Sequence, residues 1–456
     1  MTVATEEPAT LAPTKEEILA RVERDGIQFI NLQFTDVMGI VKSITIPARL
    51  LDHVIKGGQW IDGSSIAGFT RIAESDMYLM PDLSTYAELP WDRASYPTAR
   101  LICWVYNPNG DPFPGDPRAV LNRQLQRLEK LGYQFMTGPE LEFFLFKKTG
   151  EGDILPLPYD RGSYFDFSTD PANTIRKEMV LALAGMGIEV ESSHHESAIG
   201  QHEIGFQYGD ALTTADRAVT FKYVLKAIAQ QHHLHATFMP KPLEGIAGSG
   251  MHVHQSFRSL ATGENAFVDA SDPYGLSTLA KQFIAGQLAH ARGMCGVLSP
   301  LVNSYRRLVP GFEAPVYVSW ARTNRSALLR VPAIRGGQSA ATRMEIRCPD
   351  PSCNAYLAFA VMLAAGPDGI ENNLTLPEPV EENLYHFTDD DLQRRNIPTL
   401  PSTLGEAVDA MERDEVVRNA LGDHVFERLI EAQRSEWNAF RKHVCNWERD
   451  RYLEIY

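Results

Sequence analysis

The chain has 456 residues, of which 44% are hydrophobic and 22% are charged, values close to those of an average globular protein. This length provides for about two to four domains, and this composition excludes a largely disordered or fibrous protein. The formal charge of −15, from 43 basic and 58 acidic side chains, argues against nucleic-acid binding because an acidic surface repels phosphate backbones.

The cysteines and apolar segments do not indicate an extracellular or membrane protein. The five cysteines form no C-x-x-C pair, so neither a disulfide framework nor a thiolate zinc site is expected. The longest nearly apolar run, Tyr356 to Gly366, is too short to span a bilayer, and the N-terminus does not read as a secretory signal. We therefore expect a cytoplasmic protein that binds neither membrane nor nucleic acid directly.

The N-terminal part of the chain predicts a small α+β domain. After a flexible tail over residues 1–13, Thr14 begins T-K-E-E, a capping box that opens a helix ending at Gly26. Ile27–Phe34 and Ile40–Ile46 are strand-like and flank a turn.

Helical and strand-like segments alternate after a Pro- and Gly-rich linker. The linker is residues 107–117, so we place one domain at residues 14–106 and a larger one at residues 118–456. The larger domain has predicted helices at Arg118–Leu131, Ala172–Met186, Thr214–His232 and Leu276–Gly293, and predicted strands at Glu140–Phe146, Glu189–Ser193, Gly250–Ser256 and Arg343–Arg347. This alternation predicts a sheet backed by helices.

Three of these predicted strands carry several polar side chains on one face, because residues i and i+2 of a strand point the same way. The sets are Glu140 with Glu142; His252 with His254 and Ser256; and Arg343 with Glu345 and Arg347. A fourth segment adds Glu191, Glu196 and Glu203. One such strand alone would most often be solvent-facing, but four together predict a site, because buried charges need partners or a metal.

The residue types in this set indicate metal and phosphate chemistry. Glutamates with one or two histidines and no cysteine favour Mg²⁺ or Mn²⁺ over a structural zinc. Residues 306–347 hold eight arginines, no lysine and two acids, Glu313 and Glu345, and arginine suits bidentate contacts with phosphate and carboxylate. A surface ion-pair network is the alternative for these arginines. The chain has no P-loop and no kinase motif, so the residues alone predict a two-metal, phosphate-handling enzyme and leave its substrate open.

Long motifs in a characteristic order make the sequence similar to a known family. They include F-I-N-L-Q-F-T-D-V-M-G (29–39), D-G-S-S-I-A-G-F (62–69), G-P-E-L-E-F-F-L (138–145), H-H-E-S-A-I-G-Q-H-E-I (194–204), G-S-G-M-H (248–252), N-S-Y-R-R-L-V-P-G-F-E-A-P (303–315), N-R-S-A (324–327) and R-M-E-I-R (343–347). With these motifs the chain resembles bacterial type I glutamine synthetases over nearly its whole length. It lacks the long insertion that some members carry after the E-F-F-L strand, as in the alpha subtype.

The resemblance implies a fold, an assembly and a reaction. The fold is α+β, with a small N-terminal β-grasp domain and a large C-terminal catalytic α/β domain. The assembly is a dodecamer of two stacked hexamers with sites between subunits. In the reaction, the glutamate γ-carboxylate attacks the γ-phosphate of ATP, and ammonia then displaces phosphate from γ-glutamyl phosphate to give glutamine. Two divalent cations, Mg²⁺ or Mn²⁺, are implied at each site.

The resemblance also implies roles for residues at which the motifs match. One metal would be held by Glu142, Glu196 and Glu203, and the other by Glu140, His252 and Glu345. The implied ATP contacts are Glu191, His254, Ser256, Arg330 and Arg343. The implied glutamate contacts are Arg307, Arg347 and the backbone of Gly248.

Further implied roles concern the transfer steps. Arg325 would stabilise the transferring phosphoryl group. Asp62 of a neighbouring subunit, with Ser65 nearby, would bind ammonium and take up its proton. Tyr164 would line that pocket, and Glu313 would lie on a flap that closes it.

Some positions depart from the family pattern or are open to two interpretations. Ala247 replaces an asparagine that helps to hold glutamate in glutamine synthetases, and the loop from Pro332 to Arg343 looks longer than in close alpha-type relatives. Tyr385 lies where some members are adenylylated, but a surface tyrosine is the preferred interpretation. Arg71 is either a feedback-inhibition residue or a plain surface arginine.

Two other functions remain as alternatives. A γ-glutamyl-amine ligase that uses a polyamine or ethanolamine is motivated by Ala247, and a panel of amines would separate it from the first hypothesis. A catalytically silent paralogue would have lost metal or phosphate ligands, and this chain retains them. We also predict that Glu345→Ala abolishes phosphoryl transfer with little loss of folding.

Overall fold

The computed structural model describes residues 12–64, 66, 68, 76–312, 314–334 and 339–456. Within these residues the chain forms two separate β-sheets, each with its own hydrophobic core. The predicted α+β fold class is confirmed. No helix in the described part of the chain is long and apolar enough to cross a membrane.

The N-terminal part of the chain forms the first sheet. Its helices and strands are, in chain order, α1 (Lys15–Arg24), β1 (Phe29–Thr35), β2 (Val41–Pro47), α2 (Leu51–Gly57), β3 (Gln59–Asp62), β4 (Asp76–Pro81), β5 (Ala87–Glu88) and β6 (Thr98–Tyr106). The strand order is β2-β1-β6-β4-β3, with β5 beside β6. Strands β1 and β6 are parallel, and the other pairs are antiparallel.

Helix α1 begins where the sequence predicts. The Thr14 hydroxyl accepts a hydrogen bond from the Glu17 backbone N–H, and the Glu17 carboxylate accepts one from the Thr14 N–H, so the capping box is confirmed. Ile18 and Val22, four residues apart, bury one face of the helix.

The rest of the chain forms the second sheet and its helices. The helices are α3 (Pro117–Lys130), α4 (Asn173–Gly185), α5 (Ala211–Gln231), α6 (Thr278–Ala289), α7 (Ala291–Leu298), α8 (Ser304–Arg307), α9 (Ala355–Glu371), α10 (Asp389–Arg394), α11 (Leu404–Glu412), α12 (Glu415–Leu421), α13 (Asp423–Phe440) and α14 (Asn446–Tyr452). The strands are β7 (Tyr133–Lys148), β8 (Ile154–Pro158), β9 (Val190–His195), β10 (Gln201–Phe206), β11 (Gly209–Asp210), β12 (Leu234–Thr237), β13 (Met251–Ser259), β14 (Tyr317–Ala321), β15 (Ala327–Arg330) and β16 (Met344–Ile346).

Strand β7 lies at the centre of the second sheet. The strand order is β14-β15-β16-β13-β7-β10-β9, and β8, β11 and β12 also pair with β7. All these pairs are antiparallel except β14 with β15. Leu141, Phe143 and Leu145 alternate along β7 and pack into the core against α3 and α5, so the intervening glutamates point to the other face.

Two helical segments differ from the sequence prediction. The predicted helix Leu276–Gly293 is two helices, α6 and α7, which meet at His290, whose ring lies 2.9 Å from Asp414 and 3.1 Å from Asp368. These carboxylates are distant along the chain, so the local pattern did not reveal the break. The apolar run within α9 was not predicted as a helix; it is buried because a helix that is apolar all round belongs in a core.

A buried arginine joins the two parts of the chain. The Arg118 guanidinium donates to Asp82, in the N-terminal part, and to Asp216 of α5, at distances of 2.9 Å and 2.8 Å. The Tyr356 hydroxyl also donates to Asp216, and the Arg118 guanidinium lies 3.9 Å above the Trp104 ring. Since Arg118, Asp216 and Tyr356 are buried, this network anchors the first sheet against the helices of the second.

Candidate active site

The face of the second sheet that points away from the core carries the predicted carboxylates and imidazoles in register. Glu203 of β10 lies opposite Glu142 of β7, and His252 of β13 lies opposite Glu140. Strand β16 adds Glu345, which lies opposite His254 of β13. Because neighbouring strands are about 4.8 Å apart, this register brings side chains from four strands together.

One group consists of Glu140, His252 and Glu345, whose ligand atoms lie within 4.8 Å of one another. The Nδ1 atom of His252 is 3.6 Å from Glu140 Oε2 and 3.7 Å from Glu345 Oε1. These distances are too long for hydrogen bonds. The ligand atoms of the three side chains therefore surround a common point. The arrangement therefore suits a shared cation.

A second group lies across β7 and contains His194, Glu196 and Glu203, again within 4.8 Å of one another. Glu142 adjoins it through its pairing with Glu203. One oxygen of Glu142, Oε2, accepts hydrogen bonds from Gln201 Nε2 at 2.8 Å and from the Gly250 N–H at 2.9 Å. Those bonds orient the carboxylate and leave Oε1 as the oxygen available to a metal.

Crowding of like charges supports a cation at this site. Burial, and then the charges of neighbouring carboxylates, raise the pKa of Glu203 well above its usual value. The carboxylates responsible are those of Glu140, Glu142, Glu196 and Glu345. A divalent cation offsets this repulsion, and a donor set of carboxylates and imidazole without thiolate fits Mg²⁺ or Mn²⁺.

Two arginines hold Glu345 in place. Its carboxylate accepts from Arg347 Nη1 at 2.5 Å and from Arg330 Nη1 at 2.9 Å, and Glu345 is 2% exposed. Burial raises the pKa of Glu345, but the Arg347 charge and the nearby histidines lower it more, to about 2. Glu345 therefore stays ionised, and removing it leaves the buried Arg347 unpaired. These contacts argue against the prediction that Glu345→Ala causes little loss of folding.

Two of the predicted nucleotide contacts, Arg343 and His254, are linked to the first group by hydrogen bonds. Arg343 Nε donates to His254 Nδ1 at 3.2 Å, and His254 Nε2 lies 2.8 Å from Glu140 Oε1. Because arginine only donates, Nδ1 of His254 is an acceptor, and its Nε2–H donates to Glu140. Ser256 lies two residues further along β13, and Glu191 is exposed on β9.

The predicted glutamate contacts lie beside Glu142. Gln201 Nε2 donates to the Gly248 carbonyl at 3.1 Å as well as to Glu142. A Cβ atom at Gly248 would lie 2.3 Å from the Pro240 carbonyl oxygen, so only glycine fits there. Arg307 is 3% exposed, and its two terminal nitrogens donate to the backbone carbonyls of residues 347–349. Arg307 also packs closely against Gly250, where a Cβ atom would lie 2.5 Å from its Nη2. Its contact with substrate stays a prediction.

The remaining predicted residues lie on connecting segments. Tyr164 stacks on Phe165 with ring centroids 3.9 Å apart and lies 5.6 Å from the His194 ring. Arg325 is exposed in the turn between β14 and β15. Asp62 ends β3 and accepts from the Ser64 N–H.

A few predicted residues cannot be placed or differ from expectation. Ser65, Arg71 and Glu313 lie outside the described residues. Tyr385 is half-buried, and its hydroxyl donates to the Ala314 carbonyl at 2.8 Å, so it is less exposed than a surface tyrosine would be.

Sequence reasoning missed His194 and Gln201 as members of the site. His194 pairs with Glu203 across β9 and β10, and its neighbour His195 points to the opposite, buried side. Alternation through H-H-E puts His194 on the same face as Glu196, two residues on, and His195 on the other face, so this signal was present in the sequence. Gln201 had a usable signal: it lies two residues before Glu203 on the same strand face.

The sequence profile of the glutamine synthetase catalytic domain matches residues 114–452, and that of the glutamine synthetase β-grasp domain matches residues 26–108. The chain belongs to the glutamine synthetase family. A glutamine synthetase from Thermus thermophilus is 51% identical over 449 residues, which cover 97% of this chain and 99% of the relative. One from Clostridium saccharobutylicum is 50% identical over 444 residues, which cover 97% and 99%.

A solved structure at 31% sequence identity has a similar overall fold. A complex of GmaS with ADP superposes with a TM-score of 0.87 at 31% sequence identity, covering 96% of this chain and 99% of that one. Within the family, the β-grasp and catalytic domains correspond to the two sheets described above.

Proposed function

We propose that this protein is a glutamine synthetase, which joins ammonium to the γ-carboxylate of L-glutamate at the expense of ATP. The observation that carries the proposal is the pair of carboxylate and imidazole groups on either side of β7, one of which adjoins Arg330, Arg343 and Arg347. The family's curated members named above support the same activity.

The two groups are the proposed metal ligands. Glu142, Glu196 and Glu203 would hold one cation, and Glu140, His252 and Glu345 the other. Bound Mg²⁺ or Mn²⁺ would neutralise charge on the transferring phosphoryl group. We propose that the metal bound in the cell is either Mg²⁺ or Mn²⁺.

The chain's own residues would bind and orient the substrates. Arg343 and Arg330, beside the first group, would meet the nucleotide phosphates with Glu191, His254 and Ser256, and Arg325 would stabilise the phosphoryl group in transfer. The backbone of Gly248, with Arg307 and Arg347, would hold the glutamate carboxylates. The γ-carboxylate oxygen then attacks the γ-phosphorus, ADP leaves, and γ-glutamyl phosphate forms.

The second step needs an amine pocket that excludes water, because water would hydrolyse the acyl phosphate. Tyr164, which lies beside His194 of the second group, would line this pocket. Asp62 and Ser65 of a neighbouring subunit would bind ammonium, and Asp62 would take its proton. Glu313 would close the pocket from a flap.

The assembly and subtype belong to the same proposal. A dodecamer would complete each site with a neighbour's Asp62, and the exposed apolar residues near the C-terminus, among them Trp447, Leu453 and Ile455, offer surface for subunit contacts. The alpha subtype, a cytoplasmic location and a division into residues 14–106 and 118–456, joined by residues 107–117, remain part of this proposal.

The test is product formation by the purified full-length protein. With ATP, Mg²⁺ or Mn²⁺, glutamate and ammonium, we expect equimolar glutamine and phosphate. Glu140→Gln should abolish both products, whereas Glu151→Gln, in the exposed turn before β8, should leave them unchanged. Release of phosphate without glutamine, or a preference for ethanolamine or a polyamine over ammonium, would contradict the proposal.

A further inference from the structure

Behind the second group lies a buried set of polar side chains that has no role in the proposed reaction. Each member is at most 5% exposed, and the set consists of Asp160, Asp170, Arg176, His195 and His202. His195 directly precedes Glu196, and His202 directly precedes Glu203. The set therefore backs both glutamates of the second group.

Asp160 is the centre of this set. Its Oδ1 accepts from His195 Nε2 at 2.6 Å and from the backbone N–H groups of Gly162 and Gly200 at 3.0 Å and 3.2 Å. Its Oδ2 lies 3.2 Å from His202 Nε2. One carboxylate thus holds three separate stretches of chain: its own loop, the end of β9, and the turn into β10.

Asp160, His195 and His202 have the spacing of a metal triad, but the contact between Arg176 and His202 argues against that role. Arg176 Nη1 lies 2.9 Å from His202 Nδ1, and since arginine only donates, Nδ1 is the acceptor and Nε2 carries the proton. A protonated Nε2 cannot ligate a cation, and this nitrogen lies 3.2 Å from Asp160 Oδ2 without a well-aligned hydrogen bond. Asp170, 2.5 Å from Arg176 Nη2, balances the guanidinium charge.

The same contacts connect the second group with the segment that carries Tyr164. The Phe165 N–H donates to the His195 carbonyl at 3.2 Å, and the Phe165 ring lies 4.9 Å from that of His194. Phe165 has a φ of +61°, a costly conformation for a residue with a side chain, so the surroundings must enforce it. A Cβ at Gly162 would lie 2.7 Å from His195 Nε2, which shows how closely this segment packs on the ring.

We propose that Asp160 is a positioning residue: it ties the segment bearing Tyr164 to the strand ends bearing Glu196 and Glu203, and thereby sets the cation affinity of the second group. This inference rests on the proposed function, because it takes those glutamates as metal ligands. Outer-shell partners of this kind typically change metal affinity about 10–100-fold when they are replaced.

The experiment titrates Mn²⁺ alone into the full-length, metal-free protein, followed by the electron paramagnetic resonance signal of free Mn²⁺. Asp160→Ala should weaken one class of Mn²⁺ sites about 10–100-fold. Asp160→Asn should have a smaller effect, because its Oδ1 still accepts from the two glycine N–H groups. The matched control is Asp116→Asn. Asp116 is a buried carboxylate that accepts from the backbone N–H groups of Val105 in β6 and Arg118 in α3, neither of which belongs to the second group.

The control should lower the melting temperature and leave Mn²⁺ affinity within about twofold of wild type. Steady-state kinetics supply a second readout: in Asp160→Asn, KM for ammonium should rise more than KM for ATP, since the Tyr164 segment is loosened. A folded Asp160→Ala variant with wild-type Mn²⁺ affinity would overturn the inference, as would an equal loss in the Asp116 control. A wild-type protein that binds no Mn²⁺ would instead refute the metal centre of the proposed function.

Discussion

Glu345 provides the sharpest test of the site, because its side chain is expected to serve both stability and catalysis. Its carboxylate is buried between Arg347, which is 7% exposed, and Arg330, whose side chain is 28% exposed. It also faces His252 and Glu140 across the first group. Substitution should therefore lower the free energy of unfolding and the rate of phosphoryl transfer together.

The size of the stability effect follows from burial. Removing one partner of a buried ion pair costs about 3–5 kcal/mol, because the other charge is left without compensation. The more exposed Arg330 adds less to this cost, since solvent screens it. We expect Glu345→Ala to lower the free energy of unfolding by about 3–5 kcal/mol. Glu345→Gln should cost about 1–3 kcal/mol, because the amide oxygen still accepts one hydrogen bond from an arginine.

The assay is urea unfolding of the metal-free protein combined with phosphate release by the folded protein. Both variants should lose more activity than the about 10–100-fold typical of outer-shell changes. Glu382→Ala is the control: it removes an ion pair of 2.9 Å with Arg395 in which both side chains are about half exposed, and its unfolding midpoint should match wild type. Wild-type stability of Glu345→Ala would refute the ion-pair argument, and wild-type turnover of Glu345→Gln would refute the metal assignment.

Three further changes test other parts of the structure. Arg118→Met should lower the free energy of unfolding by about 3–5 kcal/mol in urea, because it strands the buried carboxylate of Asp216; a change below about 1 kcal/mol would contradict this. Burial lowers the pKa of His290, but hydrogen bonds to Asp414 and Asp368 raise it more, so the pKa lies above its usual value. The resulting stabilisation is complete below the unfolded-state pKa of about 6.5 and is lost as pH rises through the folded-state value. The melting temperature should therefore fall over this range in wild type and less in His290→Gln; identical pH profiles would be the contrary result. Gly248→Ala should raise KM for glutamate while a circular dichroism spectrum stays native, because a Cβ there meets a backbone carbonyl; an unchanged KM would exclude the proposed contact.

Local patterns in the sequence were enough for several helices and for the polar faces of strands. The capping box at Thr14 and the helix predicted at Arg118–Leu131 are found within one residue of their expected starts. The glutamates of β7 share a face, as alternation requires. The family itself followed from the motifs and is confirmed by the profile matches.

Features that depend on distant residues were missed. The break at His290 depends on Asp368 and Asp414, more than 70 residues further along the chain, as the two separations of 78 and 124 residues show. Strand β7 is 16 residues long, whereas only Glu140–Phe146 was predicted, because pairing with five other strands extends it. The buried Asp160 set has no local signature, since its members come from separate segments.

The sequence by itself determined which side chains could act, because a strand's two-residue period and the chemistry of glutamate, histidine and arginine are local properties. Tertiary structure alone decided which of them meet. The pairing of β10, β7, β13 and β16 brings Glu203, Glu142, His252 and Glu345 into neighbouring rows, and a shift of one residue in any pair would turn a ligand into the core. Register is a property of strand pairs separated by tens to hundreds of residues, so no single segment encodes it.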